Sequence, residues 1–102
     1  MKELREQDYD ALVKNADKPV VLKFTADWWP ACKQLDPVAE KVAGDLEGQV
    51  DIYSVNTDNA PGIARQFGIM SIPTMVLMKN GEEAARLNGF VPEPAIKQFA
   101  TQ

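Results

Sequence analysis

The chain has 102 residues, 45% of them apolar, and a formal net charge of −4; that suits one domain with one core, is too apolar for disorder, and offers no basic stripe for nucleic acid. No apolar run approaches the ~20 residues a bilayer crossing needs, and Met1-Lys2-Glu3-Leu4-Arg5-Glu6 turns polar at once where a secretory leader would not. A single cysteine, Cys32, forbids an internal disulfide, and the absence of histidine removes Ser-His-Asp and Cys-His nucleophilic pairs and argues against a zinc site.

In chain order, Asp8 is placed to cap a short helix with Tyr9, Leu12 and Val13 on one face. Pro19 opens Val20-Val21-Leu22-Lys23-Phe24-Thr25, a nearly continuous apolar run that reads as a central strand buried on both faces. Trp28-Trp29 follows, then Pro30, which suits the first turn of a helix because its missing N–H has no partner there to lose. That helix carries Leu35, Val38, Ala39, Val42 and Leu46 inward, with Pro37 inside it as a point of kinking.

Val50 to Val55 alternates and reads as a second strand. Asn59 to Phe67 reads as a short helix stopped by Gly68, and Thr74 to Met78 as a strand. Asn80-Gly81 is a hairpin turn, with Glu82 to Asn88 as the return strand. Pro92 opens a last helix with Ile96 and Phe99 inward. The order implies a single α/β domain over residues 1–102, a mixed sheet with helices on both faces.

Four stretches, in order along the whole chain, resemble the thioredoxin family. Phe24-Thr25-Ala26-Asp27-Trp28 runs from a buried strand to a tryptophan, and Cys32-Lys33 with Pro37 matches the end of the redox motif and its helix. Gly68-Ile69-Met70-Ser71-Ile72-Pro73-Thr74 is similar to the family's cis-proline segment, and Asn80-Gly81 followed by Gly89 to its hairpin and the glycine after its last strand. The resemblance implies a thioredoxin-like three-layer fold and protein dithiol–disulfide exchange in the cytoplasm. It also implies protein or peptide partners, a thioredoxin-reductase-like electron donor, no cofactor, and a monomer.

The family motif is Trp-Cys-x-x-Cys-Lys; here it reads Trp28-Trp29-Pro30-Ala31-Cys32-Lys33. By this resemblance Trp29 stands where the attacking cysteine belongs and Cys32 at the resolving position, so the exchange cycle has no start. Pro30-Ala31 occupies the variable dipeptide. Lys23 stands where the family commonly buries an aspartate that takes the resolving thiol's proton, and Ser54 where that acid's lysine partner sits. Lys23 then either helps hold Cys32 as a thiolate or packs its stem while its ammonium reaches water or a carbonyl.

Cys32 has two readings, an inert small hydrophobe or a working monothiol. Trp28 reads as a surface-lying ring beside the motif. Trp29 either covers the helix start or joins Trp28, Ile72, Pro73, Gly89 and Phe90 in an apolar patch of the kind that marks a binding site. The Ile72–Pro73 bond is expected to be cis, with the Ile72 backbone free to pair with an extended peptide, as the resemblance implies. The methionines read mostly as core filler. Three functions follow: a thioredoxin disabled at Trp29, a redox-independent peptide-binding module, or a one-cysteine protein forming mixed disulfides through Cys32.

Overall fold

The structure, a computed structural model, describes residues 1–102. Its sheet has five strands: β1 (Lys2–Glu3), β2 (Val20–Thr25), β3 (Asp51–Asn56), β4 (Thr74–Lys79) and β5 (Glu82–Asn88). Their spatial order is β1-β3-β2-β4-β5. β2 lies at the centre, parallel to β3 and antiparallel to β4, and all six of its residues are buried. A strand covered on both faces needs apolar side chains on both, which is why this stretch is continuous rather than alternating.

The helices are α1 (Pro30–Asp45), α2 (Pro61–Gln66) and α3 (Glu93–Thr101). Two apolar layers flank the sheet. On one side Val21, Met75 and Leu77 pack with Leu35, Ala39 and Val42 of α1 and with Ile96 and Phe99 of α3. On the other, Val20, Leu22, Phe24, Val76 and Met78 pack with Val13, Ala60 and Ile63. The result is the mixed sheet between helices that the element order implied. Every helix begins with proline in its first turn or at its N-cap, and α1 continues through Pro37 to Asp45.

Three details differ from the sequence reading. Asp8 does not cap the following helix. It sits in a 3₁₀ turn, Glu6–Asp8, and its carboxylate reaches back to accept the Arg5 N–H at 3.4 Å, satisfying the turn that precedes it. The segment after it, Asp10–Lys14, is one wide π turn that buries Val13 and leaves Tyr9 and Leu12 half-buried. Finally, β1 was invisible: two polar residues carry no periodic signal, and only pairing with Tyr53 and Ser54 makes them a strand.

The hairpin between β4 and β5 turns at Asn80 (φ 54°) and Gly81 (φ 80°), both left-handed as a two-residue turn of this twist requires. Gly81 is doubly constrained, because a Cβ there would lie 2.7 Å from the Lys14 carbonyl oxygen. Register slips by one residue between Leu77 and Met78, which leaves Ala84 of β5 as a bulge.

Candidate functional site

β2 ends at Thr25, and three residues later the chain presents Trp28 and Trp29, 63% and 41% exposed. Trp29 is extended (φ −99°, ψ 117°) and N-caps α1; its carbonyl accepts the Cys32 N–H at 3.1 Å. The two indoles meet edge to face, centroids 5.5 Å apart. Trp28 is further fixed by its indole N–H, which donates to the Asp58 carboxylate at 3.0 Å.

Cys32 lies in the first turn of α1 and is 1% exposed. Pro30 and Lys33 face solvent and Ala31 is half-buried. The helical spacing explains the difference: Cys32, Leu35 and Ala39 share the stripe that faces the sheet.

Lys23 belongs to the same buried layer. It points from β2 toward α1, is 1% exposed, and its ammonium pairs with the Asp36 carboxylate. Asp36 is one turn after Cys32 and its side chain is 50% exposed. The ammonium thus reaches neither water alone nor a carbonyl. It meets an acid that the sequence reading did not single out, because a strand-to-helix pair thirteen residues apart leaves no periodic trace. Ser54 sits directly opposite Lys23 in the β2–β3 register.

The Ile72–Pro73 peptide bond is cis. Pro73 is buried and its carbonyl accepts the Gly89 N–H at 2.8 Å; the Thr74 hydroxyl donates to the Ser71 carbonyl at 2.7 Å. These bonds hold the 71–74 turn against the end of β5. The Ile72 N–H and C=O make no hydrogen bond within the chain. Beside them opens a shallow groove of about 240 Å³ bounded by Trp28, Thr57, Ala64, Ile69, Met70 and Ile72.

Of the apolar patch expected from sequence, Trp28 and Ile72 therefore line one groove, and Trp29 adjoins it through Trp28. Pro73 is buried, its carbonyl is bonded to Gly89, and it is not among the walls of this groove. Gly89 (φ 86°) and Phe90, the latter 50% exposed, lie just past β5 and are not among the groove's walls. Met70 is 98% exposed on the groove's rim, and of the four methionines, expected mostly in core strands, only Met75 and Met78 are buried in strands.

A tryptophan turn after a buried strand, a single sulfur in the first turn of the next helix, and a cis-proline bond whose Ile72 shares a groove with Trp28 make up the site, and the comparisons agree on its kin. The family model for thioredoxin matches residues 1–102. The chain belongs to the thioredoxin family. It is 35% identical over 99 residues to a thioredoxin of Haemophilus influenzae, covering 97% of this chain and 92% of that one. It is 39% identical over 94 residues to thioredoxin 2 of Chlorobaculum tepidum, covering 92% and 86%. An M-type chloroplastic thioredoxin of Spinacia oleracea is 35% identical over 96 residues, which are 94% of this chain and 53% of the longer spinach one. Family membership implies disulfide exchange. This chain holds one cysteine and no second sulfhydryl with which to complete it.

Proposed function

We propose that this thioredoxin-family chain runs no dithiol–disulfide cycle and acts as a binding module for an extended segment of a partner protein. The observation that carries the reading is the arrangement at the start of α1. The exposed N-cap position carries the indole of Trp29, and the only cysteine is 1% exposed. A thiol attacks a disulfide only from an accessible, in-line position. Burial of Cys32 argues equally against mixed disulfides through that sulfur.

What remains usable is the groove. Trp28 and Ile72 offer apolar surface, and the unpaired Ile72 N–H and C=O suit strand-like pairing with an extended peptide. None of this needs sulfur. Two measurements test the reading. Dithiothreitol-driven reduction of a protein disulfide should proceed no faster with the chain than with the reductant alone. Tryptophan fluorescence should respond to an extended apolar peptide in the chain and lose that response in Trp28→Ala. A catalytic rate above the reductant blank, or no peptide response, overturns it.

A further inference from the structure

The charges around the groove narrow the peptide it takes. Resting on the binding reading above, we infer that the segment held there carries lysine or arginine beside its apolar side chain. The groove does not stand alone. A polar cleft of about 340 Å³ brings Glu3, Asp27 and Asp36 together with Lys33. That cleft reaches Asp27 and Asn56, and the groove begins at Trp28 and Thr57, the next residue in both cases. The two share no wall, but Asp27 of the cleft directly precedes Trp28 of the groove, and the Trp28 indole is held by the Asp58 carboxylate.

The acids of the cleft and of the Trp28 turn are largely uncommitted. Lys23 is buried and its charge is matched by Asp36. Asp27, Asp58 and Glu3 form no ion pair; Asp58 accepts only the Trp28 indole and Glu3 the Asn59 carboxamide, both neutral donors. Asp27 and Asp58 thus put two carboxylates without an ion pair beside Trp28, and the adjoining cleft adds Glu3 and the exposed Lys33 ammonium. An apolar side chain seated against Trp28 and Ile72 places its neighbours along this acidic wall. Basic neighbours are attracted there, and an anionic membrane, a nucleic acid or a second copy of this −4 chain is repelled.

The chain's two tryptophans both lie in the site, so intrinsic fluorescence reports it directly. Three short cysteine-free peptides with one common apolar centre, flanked by lysine, glutamine or glutamate, are titrated at low and at high salt. The lysine-flanked peptide should bind about fivefold tighter than the glutamine-flanked one at low salt, the scale of two modest surface ion pairs. The glutamate-flanked peptide should bind weakest, and the differences should close at high salt. In a double variant, Asp27→Asn with Asp58→Asn, which keeps an acceptor for the Trp28 indole, the ratio of lysine-flanked to glutamate-flanked affinity should shrink toward one. Equal affinity for lysine- and glutamate-flanked peptides overturns the inference and leaves the binding reading standing. Absence of binding by all three overturns both.

Discussion

Removing either partner of the Lys23–Asp36 pair should have very different consequences, because the two ends sit in different surroundings. The Lys23 side chain is 2% exposed and that of Asp36 is 50% exposed. Asp36→Ala leaves an ammonium inside with no anion. Breaking a fully buried pair in this way costs about 3–5 kcal/mol; the open Asp36 end admits water, which brings the expected cost to about 2 kcal/mol. Alanine's better helix propensity offsets at most about 0.5 kcal/mol of that. Lys23→Met removes the charge, keeps an apolar stem of similar length, and lets the Asp36 carboxylate turn to solvent. It should fall within about 1 kcal/mol of neutral. Urea unfolding measures both. With a slope of about 1.3 kcal/mol per molar, Asp36→Ala should lower the midpoint by about 1.2–1.5 M at unchanged slope. The double variant Lys23→Met/Asp36→Ala should return close to Lys23→Met. An Asp36→Ala chain no less stable than Lys23→Met would refute the reasoning, since it would mean that the ammonium needs no partner.

Trp29→Cys should create dithiothreitol-driven disulfide reduction where the chain as it stands matches the reductant blank, because it places a sulfur at the exposed N-cap of α1, three residues before Cys32. Cys32 in the native chain should react with an aromatic disulfide reagent at least ~100-fold slower than after unfolding, its access set by local opening. Gly81→Ala should cost about 2 kcal/mol or more in thermal or urea unfolding, from its left-handed φ and the Lys14 carbonyl oxygen in the way of a Cβ. The Asp45 carboxyl is held below its ordinary range, first by the hydrogen bond from Lys97 and then by that from Lys41. A depressed folded-state value means stability that is present above the unfolded carboxylate value of about 4 and lost as pH falls through the folded one. Asp45→Asn should therefore flatten the acid side of the stability–pH curve, followed by urea midpoints at a series of pH values.

The elements that sequence made legible are those whose cause is local. Asn80-Gly81 turns where its two left-handed residues allow, Pro30 starts α1, and the unbroken run from Val20 to Thr25 is the doubly covered strand. Elements whose cause lies across the chain stayed hidden. Lys2–Glu3 become a strand only through residues some fifty positions away, and Asp36 becomes the counter-charge of Lys23 only when α1 lies over β2. The site divides the same way. Trp28 and Cys32 could be placed by motif, but the half-turn of helix that buries one and the open loop that exposes the other set their chemistry. The exposure of Met70 is equally invisible, since a methionine between Ile69 and Ile72 gives no local sign of standing free in solvent.

The bulge at Ala84 bears on how the chain behaves among its own copies. β5 is an outer strand of the sheet, and a straight, apolar outer strand invites another molecule to extend the sheet. Here Glu82, Glu83 and Arg86 stand exposed along it, Glu83 and Arg86 pair at 2.8 Å, and Arg86 ties down to the Phe67 carbonyl at 2.7 Å. The bulge breaks the regular ladder between them. An incoming strand would have to bury those charges and match an interrupted register, so this border is closed to sheet growth by its chemistry rather than by a covering element.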